Sequence, residues 1–291
     1  MATVSAKEML IAASKGNYAI GAFNITSLVQ MAAIVEAAIE KNSPIIIQTS
    51  ATIAKFLKPE IIVAIYKVLV QTIKIPVSLY LDHCTDVDFC KRCADLGYTN
   101  IMFDGSSLSY EGNIKMTRIV SDYCHKVGNI SVEGELGIVS GTEDHNIVAE
   151  DDAQLCDPEQ AQDFVERSGI DLFSPAIGTA HGVYQTENPF IDYERLNNIY
   201  RLLNYPEVKT PLVIHGGTGL KESVVKKIIK NGGSKFNIST NLKHILIDST
   251  KKFLEEEPFN YEPIKMDKLV KANTKSRIKY YIDLLGSAGK A

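Results

Sequence analysis

Three of the six histidines in this chain of 291 residues stand in short polar runs: Leu81-Asp82-His83, Thr179-Ala180-His181-Gly182 and Ile214-His215-Gly216-Gly217. Three imidazoles converging on one point, with a fourth position left open, make a catalytic zinc arrangement. Imidazole suits borderline-soft divalent ions, so zinc is the first choice and cobalt or iron the next. Carboxylates accompany the histidines. Asp82 precedes His83, Asp104 lies in Phe103-Asp104-Gly105-Ser106, and Glu133 and Glu135 lie in Val132-Glu133-Gly134-Glu135. Two residues apart on a strand, Glu133 and Glu135 point to the same side. A carboxylate inside a core needs a metal, a lysine or a shared proton. Asp104 and Glu135 suit a second metal position, and Asp82 suits a general acid/base that reaches substrate. Gly216-Gly217-Thr218-Gly219 precedes a helical segment, and Asn237, Ser239 and Thr240 precede another. Backbone N–H groups and hydroxyls at helix starts cradle phosphate.

Such residues act together only if the elements bring them together. Apolar runs of strand length recur at Ala19–Asn24, Pro44–Thr49, Val77–Asp82, Asn100–Asp104, Ile130–Leu136, Asp171–Ala176, Pro211–His215 and Lys235–Thr240. Helix-period segments separate them: Ser27–Glu40, Glu60–Gln71, Asp86–Leu96, Asn113–Val127, Pro158–Ser168, Leu220–Lys230 and Asn241–Glu256. Continuous runs such as Ile45-Ile46-Ile47 fit strands covered on both faces. Eight strand–helix units in about 250 residues is the size of a TIM (β/α)8 barrel, whose chemistry sits at the C-terminal ends of the strands. The three histidines and the carboxylates fall at those ends. A doubly wound open sheet is the runner-up, and it lacks a Gly-x-Gly-x-x-Gly after the first strand. We expect one barrel domain over residues 1–291, with a C-terminal helical extension from about 257. Its lysine-rich Lys265–Arg277 stretch is expected to be a solvated face.

Composition narrows the classes. A hydrophobic content of 45% excludes a disordered chain. With 31 Lys+Arg against 35 Asp+Glu there is no basic excess, so no nucleic-acid partner is expected. No apolar run approaches the roughly 20 residues of a membrane span, and no signal peptide is evident, so a cytoplasmic location is expected. The five cysteines follow no disulfide spacing, and Cys90-x-x-Cys93 has no second pair to complete a zinc ribbon. Reduced, buried thiols are expected. His125 and His244 read as structural, and His145 lies in a loop.

The motifs Tyr18–Asn24 (YAIGAFN), Leu81–Cys84 (LDHC), Phe103–Ser106 (FDGS), Ser131–Gly137 (SVEGELG), Ile177–Tyr184 (IGTAHGVY), Val213–Gly219 (VIHGGTG) and Lys235–Thr240 (KFNIST) occur in this order. In them the chain resembles the class II, zinc-dependent ketose-bisphosphate aldolases that act on fructose or tagatose 1,6-bisphosphate. The resemblance runs from Val4 to about Pro258. It implies that His83, His181 and His215 bind the catalytic zinc and that Asp104 and Glu135 form the alternative metal position. It implies that Asp82 takes the proton of the C4 hydroxyl and that Glu143 handles the C3 proton. Asn24, Gly182, Gly216, Gly217, Thr218, Asn237, Ser239, Thr240 and Lys243 would hold the phosphorylated substrate. Backbone oxygens at Ala180, Gly182 and Gly216, with Thr218, would accommodate a monovalent cation, sodium or potassium. A homodimer or homotetramer is implied as well. Gln185, Ser239 and Lys243 depart from the usual fructose-bisphosphate pattern of Lys, Asp and Arg, which points toward the tagatose-like branch or a further relative. Two other classes compete. A zinc hydrolase on such a barrel would show an early His-x-His pair, which is absent. A non-catalytic sugar-phosphate-binding barrel would not need His83, His181, His215 and Asp82 together.

Overall fold

The computed structural model describes residues 3–143, 146–149, 153–184, 186 and 188–291. Eight parallel strands close into a barrel in the order β1-β11-β10-β8-β5-β4-β3-β2. These are β1 (Ile20–Asn24), β2 (Ile45–Ser50), β3 (Val77–Cys84), β4 (Asn100–Phe103), β5 (Ser131–Leu136), β8 (Leu172–Pro175), β10 (Leu212–Ile214) and β11 (Gly233–Ile238). The remaining three form a small sheet at one end of the barrel: β6 (Ser140–Glu143), β7 (Asn146–Val148) and β9 (Ala180–His181). The helices are α1 (Ala6–Lys15), α2 (Leu28–Lys41), α3 (Ala51–Leu57), α4 (Pro59–Val70), α5 (Val87–Leu96), α6 (Tyr110–Val127), α7 (Pro158–Ser168), α8 (Tyr193–Asn204), α9 (Glu222–Lys230), α10 (Thr240–Glu256) and α11 (Pro263–Leu285).

The barrel is the predicted fold. All eight predicted strands appear, with ends shifted by one or two residues. The largest shift is at β11, which starts at Gly233 and stops at Ile238, leaving Ser239 and Thr240 to the start of α10. Helices α1, α3 and α8 are additional to the prediction. Lys58, at a φ of 71°, separates α3 from α4. The core between the strands and the outer helices is almost wholly aliphatic and aromatic, as double coverage of a parallel sheet requires. A second cluster, including Ile20, Ala22, Ile46, Tyr80, Met102, Leu172 and Val213, joins α1 to inward-facing strand residues.

The lysine-rich stretch is not simply solvated. Val270, Thr274, Ile278 and Ile282 of α11 are buried at helical spacing. Lys271 pairs with Glu36 at 2.5 Å, and Lys275 and Lys279 pair with Glu40. Exposed pairs of this kind contribute about 0–1 kcal/mol each. The buried face therefore holds α11 to α2. All five cysteines are buried and free. Among the described residues, no helix is long and apolar enough to cross a membrane.

Candidate active site

Consecutive strand residues point to opposite faces, so Asp82 and His83 cannot both serve one site on a regular strand. The end of β3 is not regular. Its register against β4 shifts between Leu81 and Cys84, and His83 adopts a φ of 44°, sparsely populated for a residue other than glycine. This break brings His83 to the other histidines while Asp82 faces the barrel interior. His181 arrives on β9, and His215 follows β10 directly. The rings gather, with centroids 4.5 Å apart for His83 and His215, 5.0 Å for His83 and His181, and 5.6 Å for His181 and His215. One ring nitrogen from each lies within 4.8 Å of the others, a set that could hold a metal ion.

Carboxylates back the rings. His83 Nδ1 lies 2.8 Å from Asp104 Oδ2, and Asp104 Oδ1 accepts from the Ser106 hydroxyl and backbone N–H. Burial opposes the Asp104 charge, but the bonds from His83 and Ser106 outweigh it and hold the carboxyl well below the usual range. His215 Nε2 lies 2.9 Å from Glu133 Oε1. A carboxylate only accepts, so the ring nitrogen donates in both pairs, and the opposite ring nitrogen is left for a ligand bond. His215 Nδ1 stands 2.8 Å from Glu135 Oε2, an ion-pair distance, and both atoms are buried. A buried imidazole nitrogen beside a buried carboxylate oxygen suits a shared cation, whether a proton or a metal ion. Burial and the neighbouring His83 disfavour a charge on His215, but Glu133 and Glu135 push it up to about 9, so a proton and a metal ion compete for the same lone pair. Asp104 is thus engaged with His83, while Glu135 faces the ring nitrogen that the metal would use.

Asp82 is fully buried. Its Oδ2 accepts from Asn24 Nδ2 at 2.8 Å and its Oδ1 from Asn237 Nδ2 at 3.1 Å, and Gln48 Nε2 in turn donates to Asn24 Oδ1. Asn24, expected to meet substrate, is therefore bonded to Asp82. A cavity beside the histidines is lined by His181, Gly182, Gly216, Thr218, Asn237, Ser239, Thr240 and Lys243. Seven of the expected substrate residues share this one wall. Gly217 is not among them; its N–H donates to the Asn237 carbonyl at 3.1 Å. Thr218 Oγ1 and Asn237 Oδ1 are buried without hydrogen-bond partners, and Ser239 makes no capping bond to α10. The helix N-terminus and these groups together suit an anion with hydroxyls. Gly216 is required by geometry: its φ is 70°, and a Cβ would sit 2.3 Å from the Ala180 carbonyl. Tyr184 pins the same junction, accepting from the Ala180 N–H and donating to the Gly216 carbonyl.

Glu143 ends β6; its side chain, like His145 and Gln185 as a whole, lies outside the described residues. Sequence reasoning left Glu133 and Lys235 without a role and missed Gln48. The structure buries Lys235 in the interior, its Nζ 2.9 Å from Glu133 Oε2. Tyr80 Oη donates to the same oxygen at 2.5 Å. Burial opposes ionisation of Glu133, but Lys235, His215 and Tyr80 outweigh it and bring it down to about 2. The signal in the sequence was the need of a buried carboxylate for a partner.

Comparison with known proteins shows the family and the fold. The family profile described as fructose-bisphosphate aldolase class-II matches residues 4–290. A sulfofructosephosphate aldolase of Alkalicoccus urumqiensis is 36% identical over 291 residues, covering 100% of this chain and 99% of its own. A fructose-bisphosphate aldolase of Geobacillus stearothermophilus is 36% identical over 294 residues, with 100% and 99% covered. The crystal structure of the YdjI aldolase from Escherichia coli K12 superposes with a TM-score of 0.85 at 28% identity, covering 99% of each chain.

Proposed function

The chain belongs to the class II fructose-bisphosphate aldolase family, whose members are lyases, and on that premise we propose that it reversibly cleaves a ketose 1,6-bisphosphate, fructose or tagatose, to dihydroxyacetone phosphate and glyceraldehyde 3-phosphate. The observation that carries this reading is the histidine triad, backed by carboxylates, beside a cavity with unpaired buried polar atoms. His83, His181 and His215 would hold zinc, with Glu135 facing the same point. The chemistry that zinc supplies when bound is Lewis acidity toward the C2 carbonyl oxygen, where negative charge develops.

The rest of the reaction falls to side chains. The cavity wall fixes the C1 phosphate through Gly182, Gly216, Thr218, Ser239 and Thr240, and Lys243 meets the distal phosphate. Asp82, oriented by Asn24 and Asn237, takes the C4 hydroxyl proton as the C3–C4 bond breaks. The electron pair of that bond passes toward the C2 carbonyl, and the aldehyde leaves. Glu143 returns a proton to C3. Lys235 is committed to Glu133, so it is not a free amine for a Schiff base. A sodium or potassium ion at Ala180, Gly182, Gly216 and Thr218, one catalytic domain, a homodimer or homotetramer, and a cytoplasmic location complete the reading.

A second substrate is favoured by one observation: a relative 36% identical over the whole chain is a sulfofructosephosphate aldolase. Lys243 can meet a phosphate or another anion as a point charge, without the bidentate fork of Arg. The test compares kcat/KM of zinc-loaded enzyme on fructose 1,6-bisphosphate, tagatose 1,6-bisphosphate and a sulfofructosephosphate. We expect a bisphosphate to be cleaved fastest, tagatose ahead of fructose. A faster sulfofructosephosphate would move the assignment to that substrate, and no cleavage of any would overturn it.

A further inference from the structure

Glu133, Lys235 and Tyr80 form a charged knot in a layer that is otherwise apolar. All three are fully buried, and the neighbours of Tyr80 include Ile20, Ile46, Met102 and Val213. Lys235 Nζ lies 4.1 Å from the centre of the Tyr80 ring as well as 2.9 Å from Glu133 Oε2. Taking a lysine and a glutamate out of water costs about as much as their attraction returns, so such a pair is weak evidence for stability. Well-packed apolar residues of similar volume often replace such a pair without loss of stability. What the pair does that apolar residues cannot is visible at the other carboxylate oxygen. Lys235 and Tyr80 both hold Oε2, which fixes the plane of the carboxylate and leaves Oε1 for His215 Nε2. That bond sets which ring nitrogen carries hydrogen and which way Nδ1 faces. Partners of this kind change metal affinity by about 10- to 100-fold.

We propose that Lys235, together with Tyr80, is a positioning residue for the metal centre: it orients Glu133, which orients His215 so that Nδ1 is presented to the ion. The inference rests on the metal reading of the histidine triad. It is tested by Zn2+ affinity, measured by competition with a chromophoric chelator, and by the visible absorption of the Co2+-loaded protein. Lys235→Met, one step beyond the direct partner Glu133, weakens Zn2+ binding by up to about 10-fold, the lower end of the range for direct partners, and alters the Co2+ bands. Tyr80→Phe, which removes one of the two donors and no charge, weakens it by a smaller factor. The double variant Glu133→Gln/Lys235→Met leaves no unpaired charge in the layer. It recovers thermal stability lost in Lys235→Met but not Zn2+ affinity. If Lys235→Met and Tyr80→Phe bind Zn2+ within twofold of the parent with unchanged Co2+ spectra, the inference fails. It also fails if the double variant recovers parental affinity, since the pair then only balances charge. A parent protein that binds no Zn2+ overturns the metal reading itself, an outcome distinct from a parent and variants that bind alike.

Discussion

Replacing Asp82 by Ala is expected to lower kcat for ketose-bisphosphate cleavage by about 10²- to 10⁴-fold, the usual contribution of a positioned acid/base group. Bound zinc is expected to remain stoichiometric. Both oxygens of Asp82 are held by Asn24 and Asn237, while the histidine rings are backed by Asp104 and Glu133. The substitution therefore removes a proton acceptor without touching the hydrogen bonds that orient the rings. It also strands two buried amide donors, at about 1–3 kcal/mol for an unsatisfied group, so thermal unfolding is recorded alongside. Steady-state cleavage and metal content measured on the same sample decide the matter. Near-normal turnover with full zinc would take the acid/base role away from Asp82.

His215→Ala is expected to lose metal and activity together. The ring fills the gap between Glu133 and Glu135, with a carboxylate oxygen within 2.9 Å of each ring nitrogen. With the ring gone, the remaining histidines offer two ligands, too few for a closed three-ligand site. Zinc content should fall from one per chain to near zero, and added zinc should not restore cleavage. Asp82→Ala keeps its metal, so the pair of variants separates proton transfer from metal binding. Stoichiometric zinc in His215→Ala would mean that the triad is not the metal site.

Much of this site was legible because a barrel puts chemistry at one end of its strands. Short apolar runs located the strands, and His83, His181 and His215 followed from where those runs stop. The glycine and hydroxyl clusters could be read as a phosphate cradle because each precedes a helix. The sequence was silent where the answer depended on backbone irregularity or on distant pairing. Nothing in Leu81-Asp82-His83 announces the φ of 44° that lets both polar residues serve one site. The small sheet of β6, β7 and β9, which carries His181, is too short to show as an apolar run. Lys235 opens a predicted strand, with nothing beside it in the sequence to name a partner. It is the third residue of β11, and its partner Glu133 stands 102 positions earlier in the chain. Asn24 fell in a matching motif, but only the structure ties it to Asp82 and Gln48.

A metal ion held by the three histidines is expected to enable aldol cleavage. The most direct measurement follows dihydroxyacetone phosphate release from fructose and tagatose 1,6-bisphosphates before chelation, after removal of metal, and after zinc is added back. Release is expected to stop in the stripped protein and to return with about one zinc per chain. Undiminished release from protein shown to contain no metal would contradict it.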